Sequence, residues 1–128
     1  MRWVILTDDF PPLDGGIATW TATIARGLHD AGNEVVVLAR ARDGLGEDDD
    51  GSPLPYAVVP VRGPSFGRFG GWWMAARAWS ELRPGDRVLA TTWQMATHLL
   101  GRLGWLDAEL HVAFHGSDLT RPPRDLRR

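Results

Sequence analysis

Short apolar runs alternate along this chain with longer stretches in which apolar residues recur at helical spacing. Continuous runs rich in β-branched residues are typical of buried parallel strands, and the periodic stretches are typical of amphipathic helices. Strands that alternate with helices imply an α/β fold, a Rossmann-like doubly wound parallel sheet with right-handed crossovers and helices on both faces. The predicted strands are residues 3–6, 34–39, 56–61, 87–90 and 110–114.

The apolar stripe of each helix predicts which side of that helix faces the sheet. The first helix is expected over residues 17–31, because Gly32 supplies a C-terminal stop. The third is expected to begin near Thr91, where Thr-Thr-Trp-Gln has the spacing of a capping box. Pro60 favours a sheet edge or a strand end for the third strand. The stripes are Ile17, Trp20, Thr21, Ile24, Ala25 and Leu28 on the first helix, Trp72, Ala75, Ala76, Trp79 and Leu82 on the second, and Ala96, Leu99, Leu100 and Leu103 on the third.

The segment over residues 8–17 joins the first strand to the first helix and is a candidate anion site. Gly15 and Gly16 stand where the helix begins, and unsatisfied backbone N–H groups and the positive end of the helix dipole collect there. Without Cβ atoms, the two glycines let a ligand approach the backbone closely, so a phosphate group could bind. A tight turn explains the same pair of glycines, and the pair alone does not separate the two interpretations.

Three polar segments are expected to meet at the carboxyl edge of the sheet, where open parallel sheets bind their ligands. They are residues 8–16, 91–93 and 115–118, which follow the first, fourth and fifth strands. His115 is the catalytic candidate, although a histidine at a strand end is as often a structural hydrogen-bond partner. The flat ring of Trp93 could stack on a ligand, and packing against the third helix is an equal alternative.

Asp8 and Asp9 follow the first strand, as the acidic pair of a response-regulator receiver does. A receiver also needs an aspartate at the end of strand three and a lysine after strand five, but this chain has Val61 there and contains no lysine. A dinucleotide-binding domain is excluded because there is no Gly-x-Gly-x-x-Gly motif and strand two ends in Arg40, not in an acid. Asp8 and Asp9 are therefore expected to bind local N–H groups in an Asx-turn, with a substrate role as the alternative.

Composition narrows the classes of function. A chain of 128 residues has the size of one domain. Its net charge of −2 lacks the excess of basic residues that is typical of nucleic-acid-binding proteins. The absence of cysteine excludes disulfides and thiolate chemistry. The acidic run over residues 47–50 is expected to be a solvated loop and not a metal site. Since no stretch has the apolar length of a membrane span and no signal-peptide pattern is found, a cytoplasmic protein is expected.

Motifs near the two ends of the chain carry a family resemblance. The sequence PPLDGGIA at residues 11–18, with the helix and strand that follow, resembles the N-terminal domain of GT-B glycosyltransferases of family 4. The sequence FHGSDL at residues 114–119 resembles the His-Gly-x-Asp/Glu segment of the same family. Family members usually have histidine where this chain has Asn33, a difference confined to a turn. The resemblance implies the N-terminal half of a GT-B architecture.

The resemblance also implies an activity and a set of site residues. Such an enzyme transfers a sugar, with retention, from a nucleotide-diphosphate sugar to a hydroxyl acceptor, and no metal or other cofactor is expected. Gly15, Gly16 and Ile17 would face the donor diphosphate, and His115 would be the catalytic residue beside the reacting sugar. Asp118 would support that segment, or alternatively cap a following helix. The residues expected to contact acceptor or sugar are Asp8, Asp9, Trp93 and Asp118.

The expected organisation is an acceptor-side domain over residues 1–118 and a polar Arg/Pro tail over 119–128, with the donor-binding domain absent. Little or no activity is therefore expected of this chain alone. Expected partners are a nucleotide-sugar, a hydroxyl acceptor and either a separate C-terminal half or a second copy. A dimer would form through the crevice edge or through Phe66, Phe69 and Trp73, because apolar patches and tryptophan mark interfaces. The alternative function is a non-catalytic module that binds carbohydrate, nucleotide or protein.

Overall fold

The fold is built on a five-stranded, all-parallel sheet. The computed structural model describes residues 1–62, 74, 76–91 and 108–113. Residues 76–81, between the third and fourth strands, are helical. The predicted strands are confirmed, with ends that shift by about two residues at most. The named elements are β1 (Arg2–Thr7), α1 (Gly16–Asp30), β2 (Glu34–Arg40), β3 (Ala57–Val61), β4 (Arg87–Ala90) and β5 (Glu109–Val112).

The strand order is β3-β2-β1-β4-β5, and every neighbouring pair is parallel. The order reverses direction between β1 and β4, so the carboxyl ends of these two strands flank the crevice in which sheets of this kind bind ligands. The expected Rossmann-like α/β sheet is confirmed. β3 lies at an edge of the sheet, as Pro60 predicts, because proline has no N–H to donate to a ladder.

Alternate residues of each strand enter two hydrophobic clusters, one on each face of the sheet. Successive side chains of a strand point to opposite faces, so Val4 and Leu6 join one cluster while Ile5 joins the other. Ala25 of α1 packs in the second cluster, which we call the α1-side cluster. Both faces are therefore covered, which explains the continuous apolar runs. The first face is covered by residues spaced four apart, Met74, Ala78 and Leu82.

The buried side of α1 follows the predicted stripe except at Trp20. Thr21 and Ala25 are buried, and Ile24 and Leu28 are partly buried against the α1-side cluster, as predicted. The fully buried residues of α1 are Ala18, Thr21 and Ala25, whereas Trp20, which the pattern places in the stripe, is 37% exposed. Two residues along a helix correspond to about 200° of rotation, so a helix that buries Ala18 directs residue 20 away from the sheet. Small side chains let α1 approach the strands closely, and the Thr21 hydroxyl is satisfied by donating to the Ile17 carbonyl at 2.7 Å.

The helical segment over residues 76–81 shows a similar shift. Leu82 is buried and Trp79 packs partly buried against the first cluster, as predicted. Ala76, however, is exposed, and Met74 and Ala78 are buried in its place. Residues four apart share one side of a helix, so Met74, Ala78 and Leu82 pack against the sheet together. The other predicted stripe residues, Trp72 and Ala75, lie outside the described residues.

The crossover from β2 to β3, residues 41–56, consists of turns and a short bridge, not a helix. Its acidic run over residues 47–50 is exposed, as predicted for a solvated loop. The Asp48 carboxylate accepts the N–H groups of Asp50 and Ser52, both at 2.9 Å. The crossover is anchored by side chains that pack on the α1-side cluster, namely Leu45, Leu54 and Tyr56.

Tyr56 is the only tyrosine in the sequence, which makes its titration directly observable. Burial raises its pKa above the ordinary value of 10.0, because the phenolate is poorly solvated inside the protein, and Arg26 opposes this by a smaller amount. Since the folded pKa is the higher one, the unfolded chain loses this proton first as the pH rises. The contribution of neutral Tyr56 to stability is therefore complete below pH 10.0 and is lost as the pH rises through the folded pKa.

We expect the tyrosinate absorbance of the folded protein to titrate above pH 10.0 and that of the urea-unfolded chain to titrate near it. We also expect the free energy of unfolding to fall more steeply with alkaline pH in the wild type than in Tyr56→Phe, which lacks the ionisable group. A folded-state titration at or below the unfolded one, or parallel pH profiles of the two proteins, would contradict this.

Candidate functional site

Hydrogen bonds join the carboxyl ends of β1 and β4 at the point where the strand order reverses. Thr7 and Thr91 lie there, and both are fully buried. The Thr91 hydroxyl donates to the Thr7 hydroxyl at 3.1 Å, and the Thr7 hydroxyl donates to the Asp9 carbonyl at 2.8 Å. The N–H of Thr91 donates to the Leu6 carbonyl at 3.0 Å. The start of the loop after β1 is therefore held against the end of β4.

Phe10 anchors the same loop to the core. Its side chain is fully buried in the α1-side cluster, although the residue belongs to neither a strand nor a helix. The N–H of Leu13 donates to the Phe10 carbonyl at 3.1 Å, which closes a turn around the cis peptide bond between Pro11 and Pro12. The loop is thus held by threonine hydrogen bonds at its start and by an aromatic anchor in its middle.

Gly15 and Gly16 lie at the N-terminus of α1, as the sequence predicts, with Gly15 as the N-cap and Gly16 as the first helical residue. Gly15 has a φ of 143°, which L side chains rarely adopt. A Cβ on either glycine would meet no described residue within 4 Å, so within the described part of the chain open space borders this backbone. Gly15 has no side chain with which to cap the helix, and the first turn has no acidic residue. The first N–H groups of α1, which have no partner within the helix, are therefore available to an anion.

Two arginines that the sequence analysis did not select lie beside this loop. Arg40 Nη2 donates to Asp8 Oδ1 at 2.9 Å, and Arg42 Nη2 donates to the Asp8 carbonyl at 3.0 Å. The Asx-turn expectation for Asp8 is wrong, because its carboxylate pairs with an arginine on the neighbouring strand. The strand register explains this ion pair. Thr7 pairs with Ala39, so Asp8 and Arg40, which follow them, are oppositely charged neighbours on adjacent strands.

The carboxylates of Asp8 and Asp9 remain accessible at this edge of the sheet. The Asp8 side chain is 46% exposed despite its ion pair. Asp9 is half-buried, and its carboxylate has no hydrogen-bond partner among the described residues. Ile17 is half-buried in the first turn of α1, next to the glycine pair. Five of the predicted site residues, Asp8, Asp9, Gly15, Gly16 and Ile17, therefore lie along one stretch of loop and helix end.

The remaining predicted site residues belong to segments that follow β4 and β5. The N–H of Ala113 donates to the Ala90 carbonyl at 2.9 Å, and Val112 is paired with Ala90 in the sheet. Both strands therefore end at the same edge as the glycine loop, and the roles assigned to the residues beyond them stay predictions. Outside the described residues lie Trp93, His115 and Asp118.

Two kinds of feature are not found in the described part of the chain. Within residues 1–62, 74, 76–91 and 108–113, no three histidine or carboxylate side chains come together as metal ligands. In the same ranges, no helix has the length and apolar character needed to cross a membrane.

Comparison with known proteins assigns no family. No protein-family model matches this chain, and neither a curated protein nor a solved structure matches it. The function is therefore argued from the geometry of the sheet edge and from the motifs in the sequence.

Proposed function

We propose that this chain is the acceptor-side domain of a glycosyltransferase similar to those of GT-B family 4. The observation that carries the proposal is the N-terminus of α1, which has no side-chain cap from Gly15, follows the strand at which the order reverses, and has no described residue within 4 Å of a Cβ on either glycine. Backbone N–H groups and the helix dipole at such a terminus favour bound negative charge. The diphosphate of a nucleotide-sugar is an anion that suits this position, and the motif PPLDGGIA at residues 11–18 supports the choice.

In the proposed reaction, the bond between the anomeric carbon of the sugar and the diphosphate oxygen breaks. A new bond forms between the anomeric carbon and the acceptor oxygen, and the proton of that hydroxyl passes to the leaving diphosphate. Negative charge develops on the leaving diphosphate, and preorganised N–H donors aimed at that charge lower the barrier. The N-terminus of α1, with Gly15, Gly16 and Ile17, would contact the diphosphate from one side, and a donor-binding domain would contact it from the other.

The other proposed roles follow the same arrangement. His115 is the proposed catalytic residue beside the reacting sugar, and Asp118 and Trp93 are proposed to contact sugar or acceptor. Asp8 and Asp9 would accept hydrogen bonds from hydroxyl groups, and Arg40 would position Asp8 through their ion pair. No metal is invoked, and self-association through the aromatic region stays a prediction.

The test is a leucine introduced at each end of α1. Gly16→Leu is expected to weaken binding of UDP or GDP about tenfold, because the side chain fills the space beside the first N–H groups. Gly27→Leu is the matched control, since a Cβ there also meets nothing within 4 Å and that position is far along α1. Both glycines lie in helical backbone, and a Cβ at either position meets no described residue within 4 Å.

Titration calorimetry with each nucleoside diphosphate measures the affinities, and thermal unfolding confirms that the variants are folded. Equal affinities for the wild type and both variants, or no binding of either diphosphate, would rule out the proposed site. The non-catalytic alternative shares this binding. Sugar transfer to a hydroxyl acceptor, measured with a donor-binding domain supplied, separates the two functions.

A further inference from the structure

An open groove of about 600 Å³ lies between α1 and the crossover over residues 41–56. The groove exists because the crossover passes over this face of the sheet as turns, where a helix would have packed beside α1. It extends along α1 from Thr19 to Asp30. The glycosyltransfer proposal makes no use of this groove.

The floor of the groove is largely apolar. Phe10 and Tyr56 line it and are buried, while Ala22 and Leu54 line it and are partly buried. The phenol of Tyr56 is neutral at physiological pH, so it adds no charge to the floor. An occupant would therefore gain free energy by placing an apolar side chain against this floor.

The rim of the groove carries mainly negative charge. Glu47, Asp48 and Asp49 line it from the crossover and Asp30 lines it from α1, and all four are exposed. Among the described lining residues the one cation is Arg26, whose Nε lies 3.5 Å from Asp30 Oδ1. The carboxyl end of α1 adds a partial negative charge to the same region. The groove is therefore electrostatically suited to a cationic occupant.

The length of the groove indicates what kind of cation it suits. From Thr19 to Asp30, α1 rises by about 16 Å, at ~1.5 Å for each residue. An extended peptide covers that distance with about five residues, whereas a single amine or guanidinium would occupy only part of it. In an extended chain, successive side chains also point to opposite sides. Alternating basic and apolar residues would thus meet the acidic rim and the apolar floor together.

We propose that this groove docks an extended basic peptide segment of a partner protein. Arginine or lysine side chains of the segment bind Asp30, Glu47 and Asp49, and the intervening apolar side chains pack on the floor beside Tyr56. The proposal is independent of the glycosyltransfer function, because Gly15, Gly16 and Ile17, the residues proposed to contact the diphosphate, do not line the groove.

The probe is the acetylated and amidated peptide Arg-Leu-Arg-Leu-Arg, titrated into the full chain by calorimetry. The double variant Glu47→Gln/Asp49→Asn removes two carboxylates that line the groove. It is expected to weaken binding three- to tenfold, which is roughly the contribution of one exposed ion pair for each carboxylate removed. The double variant Asp43→Asn/Asp50→Asn is the matched control. It removes two exposed crossover carboxylates that do not line the groove, so the peptide should bind it as tightly as it binds the wild type.

Three further measurements identify the kind of ligand that the groove binds. The peptide Glu-Leu-Glu-Leu-Glu should not bind, arginine amide should bind far more weakly than the pentapeptide, and added salt should weaken the complex. If the basic peptide does not bind, the proposal is wrong. This outcome includes the case in which the chain's own arginine-rich segment over residues 121–128 already fills the groove. Equal losses in the two double variants, or equal affinity for arginine amide, overturn it as well.

Discussion

Replacing Asp86 with alanine is expected to lower the free energy of unfolding by about 3–5 kcal/mol. The Asp86 side chain is 3% exposed, and its Oδ2 accepts hydrogen bonds from Arg2 Nη1 and from the N–H of Arg83. Arg2 is itself 9% exposed and also donates to the Glu81 carbonyl at 2.8 Å. Removing the carboxylate takes the closest counter-charge from this buried guanidinium, and only Glu81 at 3.5 Å and Glu34 at 3.8 Å then remain to offset its desolvation cost.

Asp30→Ala is the matched control for this change. Asp30 pairs with Arg26 one helical turn away at 3.5 Å, but both side chains are about 60% exposed. An exposed pair of this kind contributes about 0.5 kcal/mol or less, so the control should barely change stability. Urea unfolding followed by tryptophan fluorescence measures both variants. Losses of similar size in the two proteins would show that the Asp86–Arg2 pair does not stabilise the amino edge of the sheet.

Phe10→Ala is expected to lower the free energy of unfolding by about 3–5 kcal/mol, as for other large aromatic side chains removed from a core. Phe10 is fully buried in the α1-side cluster and is the anchor of the loop that leads to Gly15. The loss combines the transfer of a large apolar side chain with the cavity left behind, because the sheet and α1 cannot close completely over the space.

Leu13→Ala is the control within the same loop, since Leu13 is 38% exposed. Its hydrogen bond to Phe10 is made by the backbone N–H and survives the substitution. Its cost should stay within about 0.5 kcal/mol. Comparable losses for Phe10→Ala and Leu13→Ala, measured by the same urea unfolding, would mean that the loop is not anchored through the aromatic ring.

Much of the candidate site could be predicted because it depends on local signals. The strand before Asp8, the glycine pair and the periodic residues after it indicate a strand, a loop and a helix N-terminus without reference to the rest of the chain. The ion pair between Asp8 and Arg40 was missed because it joins residues on two neighbouring strands. Thr7 and Thr91 were not predicted to share a hydrogen bond for the same reason.

The helix faces show where local pattern is insufficient. The spacing placed Trp20 in the apolar stripe and left Ala18 out of it, yet Ala18 is buried and Trp20 is 37% exposed. Apolar spacing carries no information on how closely two elements must approach. Ala76 was likewise placed on the buried side, whereas the residues that pack in the first cluster are Met74, Ala78 and Leu82.

The sequence by itself determined the strand positions, the α/β class, the edge position of β3 and the glycine pair at the start of α1. These features follow from backbone preferences and periodicity, which are properties of neighbouring residues. Only the tertiary structure decided that α1 buries Ala18 and leaves Trp20 partly exposed, that Asp8 pairs with Arg40, and that a groove with an acidic rim lies beside α1. Each of these depends on which elements become neighbours in the fold and how closely they pack, and those distances are set only when the whole chain has folded.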